Sequence, residues 1–146
     1  MSDKLEIPVT KFKLRTGLGL SGKGVFALEA IPKGKRIIEY IGRNIPIEEQ
    51  ELATGRYLFS TGRNKMINGN IKENVARFIN HSCRPNCEAR GPSGRVFIYS
   101  IKRIKAGEEL TYDYGDEYFN DFIKPFGCKC KKCRPTKGVL DGLQYN

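Results

Sequence analysis

A mainly β fold in a single domain is the class this chain predicts, and three observations predict it. Short runs of β-type residues recur between Gly, Pro and Asn signals, helical pattern is scarce, and 146 residues give room for one core. The runs are Lys11 to Arg15, Gly24 to Leu28, Arg36 to Tyr40, Tyr57 to Ser60, Val96 to Ile101 and Glu109 to Tyr112. Two helical turns are expected from Ile47 to Ala53, where Pro46 suits a helix start, and another turn from Asn74 to Ile79. From Tyr118 onward the chain turns aromatic and then cysteine-rich, and the stretch from Gly138 to Asn146 reads as a loose end.

Composition bounds the function classes. Lys and Arg number 26 against 16 Asp and Glu, a formal charge of +10 that favours polyanions as neighbours; a merely solvated basic surface explains the same number. No apolar run approaches the ~20 residues of a membrane span, and the first residues lack a signal-peptide core, so a soluble intracellular protein is expected. Five cysteines fall in two groups, Cys83 with Cys87 and Cys128, Cys130 with Cys133. An odd count without secretory features argues against a disulfide framework and for thiolate metal ligation, with reduced unligated thiols as the plainer account.

Two stretches carry most of the chemistry. The segment from Leu18 to Ala27 sets a glycine-rich turn directly before a strand, where glycines let backbone approach a ligand and expose amide groups to it. An ordinary hairpin accounts for it equally well, and its spacing is neither a Rossmann fingerprint nor a P-loop. The segment from Asn74 to Cys87 reads NVARFINHSCRPNC, and GEELTYDYG follows from Gly107 to Gly115. His81, the single histidine, could simply hold a turn through backbone hydrogen bonds, and each tyrosine here could be a core aromatic.

At these residues the chain resembles the SET-domain protein-lysine methyltransferases, whose signature pair is Arg-Phe-Ile-Asn-His-Ser-Cys-x-Pro-Asn and Glu-Leu-Thr-Tyr-Asp-Tyr. The Gly22-Lys23-Gly24 turn and Glu39-Tyr40-Ile41-Gly42 match two further family elements in order, so the likeness spans about Lys11 to Arg134. It implies a SET-type fold of several small sheets with a pseudoknot-like C-terminal threading, few short helices and a zinc-stapled tail. The implied domain layout is a catalytic domain over 11–116, a post-SET zinc segment over 117–135 and a flexible tail over 136–146.

The resemblance implies methyl transfer from S-adenosylmethionine to a lysine side chain. Such a transfer is an in-line displacement that needs a neutral amine held behind the methyl group. Free lysine titrates near ~10.4, so an apolar aromatic channel helps by disfavouring its charged form, and aromatic walls attract the sulfonium and the methylammonium product. By resemblance the catalytic set is Tyr114, Tyr40 and Tyr112, with Tyr114 orienting donor and amine, Tyr40 in the channel wall and Tyr112 as a smaller-channel residue that favours monomethylation. Cofactor binding falls to Gly22, Lys23, Gly24, Tyr57, Asn80 and His81, the last two chiefly through backbone groups.

Cys128, Cys130 and Cys133 offer three thiolates within six residues, and structural zinc takes four. The resemblance supplies Cys83 as the fourth and leaves Cys87 as a buried thiol. Only two residues separate Cys130 from Cys133, where the usual post-SET spacing has four. The expected partner is a basic protein, a histone tail foremost, in the nucleus or on chromatin if the source is eukaryotic and in the cytoplasm otherwise, with nucleic-acid or nucleosome contact through the basic surface. The competing reading is a basic nucleic-acid or chromatin module that uses a zinc-stapled fold without catalysis. The intact Tyr114 and the Asn80-His81 pair favour the enzyme, since a binding module needs neither.

Overall fold

Strand pairing in the computed structural model follows the β-type runs, which fall into three small sheets. The structure describes residues 10, 12–19, 22–50, 53, 57–62, 65–90 and 94–115, with backbone alone at 61–62. The tail with Cys128, Cys130 and Cys133 lies outside the described residues, as do the proposed zinc segment and flexible end.

The first sheet is an antiparallel hairpin of β1 (Leu14–Gly19) and β2 (Gly22–Ala27), in register from Leu14 opposite Ala27 to Gly19 opposite Gly22. Gly22 and Lys23 therefore belong to a strand, where the sequence suggested a turn ahead of a run starting at Gly24. Val25 and Ala27 on β2 are fully buried, and Phe26, on the other face, lies under the Arg15 guanidinium at 4.3 Å. A three-stranded sheet is ordered β4 (Arg43–Asn44), β6 (Lys65–Asn68), β5 (Leu58–Gly62), and α1 (Ile47–Gln50) follows β4. The helix expected to reach Ala53 is described only to Gln50.

The five-stranded sheet is ordered β3 (Arg36–Tyr40), β9 (Val96–Ser100), β8 (Cys87–Arg90), β10 (Thr111–Tyr112), β7 (Asn80–His81). Its last strand in sequence is threaded between two earlier ones and runs parallel to both, pairing Thr111 with Asn80 and Tyr112 with His81 and Cys87. This is the threading expected from the C-terminal motif. Asn86 pins it: its Oδ1 accepts from Thr111 N–H at 2.9 Å while its Nδ2 donates to the Glu109 carbonyl at 2.9 Å. So short a strand gains little from its own ladder, and these side-chain bonds replace the missing length.

The core lies beneath this sheet and the hairpin. Ile31, Ile37, Ile79, Ile98, Ile104 and Leu110 are each 1% exposed or less. Between β6 and β7 the expected turn over Asn74 to Ile79 is a 3-10 helix, Val75–Phe78, with Asn74 at its N-cap and Ala76 buried. Asn74 is wholly buried; its Oδ1 accepts from Ile41 N–H at 3.2 Å and its Nδ2 donates to the Gly69 carbonyl at 2.9 Å. A buried amide so satisfied ties the end of β3 to the segment after β6. No helix among the described residues is long and apolar enough to cross a membrane.

Candidate active site

Three strands bring a row of rings together. Tyr40 closes β3, Phe59 sits in β5, Tyr112 ends the threaded β10, and Tyr114 follows two residues later. Ring centroids are 5.0 Å apart for Tyr40 and Phe59, 6.2 Å for Phe59 and Tyr112, 4.9 Å for Tyr112 and Tyr114, and 5.4 Å for Tyr114 and His81. These separations suit tilted and edge-to-face aromatic contacts. The three tyrosines named from the sequence motifs thus share one cluster. Phe59 was not foreseen: the run Tyr57 to Ser60 marks a strand but does not say which rings it will lie beside.

The polar ends of these rings are anchored to backbone. Tyr40 Oη donates to the Tyr57 carbonyl at 3.1 Å, and Tyr114 Oη donates to the Ile79 carbonyl. A Cβ at Gly69 would fall 2.3 Å from the Tyr40 ring, so the bare glycine seats that ring closely. Tyr57 is itself fixed through its carbonyl, which also accepts from Gly69 N–H at 2.7 Å.

His81 holds the turn after β10. Its Nδ1 accepts from the Tyr114 backbone N–H at 3.1 Å, which assigns the ring proton of the neutral imidazole to Nε2, 3.3 Å from Cys83 Sγ. Burial pushes the imidazole below its ordinary pKa, partly opposed by the Asp113 carboxylate 3.8 Å away. A neutral ring of this kind orients its neighbours and is no proton carrier, in line with the backbone-holding role open to it from sequence. That N–H faces the half-buried Cys83 sulfur and links the two residues. Cys87, fully buried, differs: burial pushes its thiol up to about 12, so it stays protonated at neutral pH. Among the described residues there is no group of three or more potential metal ligands, since the other cysteines named for zinc lie beyond them.

The residues named for the cofactor gather on the other side of β7. Asn80 Nδ2 donates to the Lys23 carbonyl at 3.2 Å and to Glu109 Oε2 at 2.7 Å, which uses both amide hydrogens. Lys23 Nζ rests 4.4 Å over the Phe78 ring. The Glu109 carboxylate explains two glycines by close approach, because a Cβ at Gly19 or Gly24 would meet Oε2 at 2.4 or 2.3 Å. Gly22 adopts φ +108, open space around it. Lys23, Gly24 and Asn80 are therefore neighbours, with Gly22 next to them in the chain, whereas the His81 ring faces Tyr114 and Cys83 and Tyr57 is placed by its contacts at the Tyr40 end of the cluster. In the sequence Glu109 opens the second signature segment with no role of its own; its carboxylate sits among these residues because the residue bridges Phe26 of β2, a pairing that no local pattern encodes.

The sequence matches the SET domain family model over residues 22–115. It is 41% identical over 128 residues to the histone-lysine N-methyltransferase set-2 of Caenorhabditis elegans, covering 79% of this chain and 8% of that protein. It is 40% identical over 120 residues to the H3 lysine-4 specific histone-lysine N-methyltransferase of Saccharomyces cerevisiae, covering 73% of this chain and 11% of that one. The chain thus spans about a tenth of the length of these relatives. Among solved structures it is similar to KRYPTONITE in complex with mCHG DNA and SAH, with TM-score 0.64, 31% identity and coverage of 73% of this chain and 24% of that one. It is also similar to an active polycomb repressive complex 2 in the stimulated state, with TM-score 0.65, 29% identity and coverage of 76% and 16%.

Proposed function

The chain belongs to the SET-domain family, and from that premise we propose that it is a protein-lysine N-methyltransferase that uses S-adenosylmethionine. The observation that carries the reading is adjacency. A row of aromatic rings with backbone-anchored hydroxyls stands one strand away from a glycine-bearing hairpin and an ordered Asn80. Lysine methylation needs that pairing, a dry channel for an amine beside a seat for the methyl donor.

S-adenosylmethionine supplies a methyl group on a positively charged sulfur, and Gly22, Lys23, Gly24, Tyr57, Asn80 and His81 are the residues proposed to hold it. The fit rests on the chain's own features. The open Gly22 backbone offers amide groups, and Asn80, both hydrogens occupied, offers its carbonyl oxygen as an acceptor. Tyr40, Phe59, Tyr112 and Tyr114 exclude water from the lysine head, favour its neutral form and face the charge that forms on the product. Tyr114, held by Ile79 and His81, aligns the amine, and the Tyr112 hydroxyl limits the room for successive methyls, which supports mainly monomethyl product.

The substrate proposed is a basic protein segment, a histone tail first, supported by relatives named for histone lysine methylation, that of Saccharomyces cerevisiae being H3 lysine-4 specific. The site would then work in the nucleus on chromatin. A catalytic domain over 11–116 carries it, closed by a zinc segment over 117–135 and followed by a loose tail over 136–146, the zinc held by Cys83, Cys128, Cys130 and Cys133. Incubating the protein with histone H3 and isotope-labelled S-adenosylmethionine, then reading products by mass spectrometry, tests the reading. Label on lysine is expected, and its rate of appearance should fall by about a hundredfold with Tyr114→Phe. No label on H3, on nucleosomes or on other basic proteins, with no heat of S-adenosylmethionine binding, would overturn it.

A further inference from the structure

Two turns at the far end of β3 and β9 come together and carry a concentrated positive charge. They are zipped by backbone: Ile31 and Ile104 exchange both N–H···O bonds at 2.8 Å, Gly34 N–H donates to the Ser100 carbonyl at 2.9 Å, and Ser100 N–H donates to the Lys35 carbonyl at 2.9 Å. The buried Ser100 hydroxyl adds a cross-link, donating to the Pro32 carbonyl at 2.6 Å and accepting from Lys35 N–H at 2.9 Å. Residues 30–36 and 100–106 read AIPKGKR and SIKRIKA, fourteen residues with six cations and no acid. Lys33, Lys35, Arg36, Lys102, Arg103 and Lys105 are all exposed, and none forms an ion pair among the described residues. The flanking acids are occupied by backbone: Glu29 accepts from Lys13 N–H at 2.7 Å and Glu108 from Lys105 N–H at 2.6 Å.

The contrast with the neighbouring sheet face is informative. There Arg95 is paired with Glu39 and Arg90 with Glu88, as expected of a surface that only needs solvation. Six unpaired cations on a backbone-laced pair of turns repel one another, an arrangement that a polyanion relieves. We infer that this pair of turns is a docking surface for the phosphate backbone of a nucleic-acid duplex. Neither segment contains an aromatic residue on which unstacked bases could lie, and Arg36 is held against Phe97 at 4.4 Å, so a single strand finds no stacking platform. Neither contains an exposed large apolar side chain to enter a lipid surface. Contact with phosphates alone carries no base preference.

The patch starts at Arg36 and the aromatic site at Tyr40, opposite ends of one strand, about 13 Å apart at the rise of extended chain. A duplex bound at one end leaves the other open to a peptide. That the duplex is chromatin DNA rests on the histone-tail reading above; the binding itself does not.

Fluorescence anisotropy of the full chain with two 20-base-pair duplexes of unrelated sequence tests the surface, using Lys33→Ser, Lys35→Ser, Lys102→Ser and Arg103→Ser together. The control removes four exposed cations elsewhere, Lys13→Ser, Arg43→Ser, Lys65→Ser and Lys72→Ser. Both duplexes should bind alike, and the control should stay close to wild type. The patch variant should bind about tenfold or more weaker than wild type, with a salt slope smaller by about 0.9 for each phosphate it no longer neutralises. On free H3 peptide the patch variant should keep the wild-type rate while losing rate on nucleosomes. Equal losses for both variants, no loss for the patch variant, tighter binding of single strands, or equal binding of polyglutamate or anionic phospholipid vesicles would overturn the inference. Failure of the methylation reading would remove the peptide and nucleosome rates and leave the duplex result standing.

Discussion

Tyr112 and Tyr114 are two residues apart and their rings 4.9 Å apart, yet their hydroxyls are set for different work. Tyr114 Oη is bound to the Ile79 carbonyl and its backbone N–H to His81, so the ring is fixed from both ends. Tyr112 is buried in the row beside Phe59, where an oxygen more or less changes the room in the channel. Tyr112→Phe should shift product from monomethyl toward di- and trimethyl-lysine with the first transfer nearly intact. Tyr114→Phe should lower the first transfer by about a hundredfold, the scale of losing alignment at the reacting atoms. Mass spectrometry of methyl states with single-turnover rates separates the two, and equal losses with an unchanged methyl distribution would rule out Tyr112 as the channel gate. The three tyrosines, Asn80 and His81 were legible because they lie in ordered local motifs. Phe59 was not, because it meets Tyr40 and Tyr112 only when β5 is brought beside β3 and β10; Glu109 lies in a motif, but the motif does not say that its carboxylate meets Asn80 through the bridge to Phe26.

The elements show the same division. The run Arg36 to Tyr40 is β3 to the residue, and the run Val96 to Ile101 is β9 but for its end, because Ile37, Ile38, Val96 and Ile98 are β-branched and buried. β1 was expected to end at Arg15 and runs to Gly19: its glycines, poor strand formers, are held by pairing with Gly24 and Gly22 and, at Gly19, by the Glu109 carboxylate lying over it. β4, β6, β7 and β8 went unseen, since strands of two to four residues exist through their partners and show no alternation of their own. The segment Asn74 to Ile79 is an element whose stability should hang on one side chain. Asn74→Ala strands the Ile41 N–H and the Gly69 carbonyl beneath Tyr40, a cost of about 2 kcal/mol or more, and should lower Tm by roughly 5 to 10 °C. Calorimetry against the exposed control Lys72→Ala checks it; equal Tm values would mean that the buried amide does not hold β3 to this segment.

At the scale of the whole molecule the proposed zinc site makes the sharpest demand, since its ligands are far apart in the chain. Cys83 follows the strand that carries Asn80 and His81, with its sulfur facing the His81 Nε2–H at 3.3 Å, while its proposed partners lie 45 or more residues onward at Cys128, Cys130 and Cys133. Bringing such distant groups together costs chain entropy that three cysteines in the tail cannot offset by packing alone, and a metal ion supplies the difference only if all four thiolates meet. The site should therefore be cooperative: one zinc per chain in freshly purified reduced protein, and none after Cys83→Ser with Cys133→Ser. Chelation should lower Tm and abolish methyl transfer to a peptide while leaving the far-ultraviolet circular dichroism of the sheets largely in place, because Ile31, Ile98, Ile104 and Leu110 form a buried cluster with one another and with other residues of the sheets. Elemental analysis with these two measurements decides it. Zinc retained in the double variant would move the metal to other ligands, and methyl transfer unaffected by its removal would mean that the tail does not help to form the lysine channel.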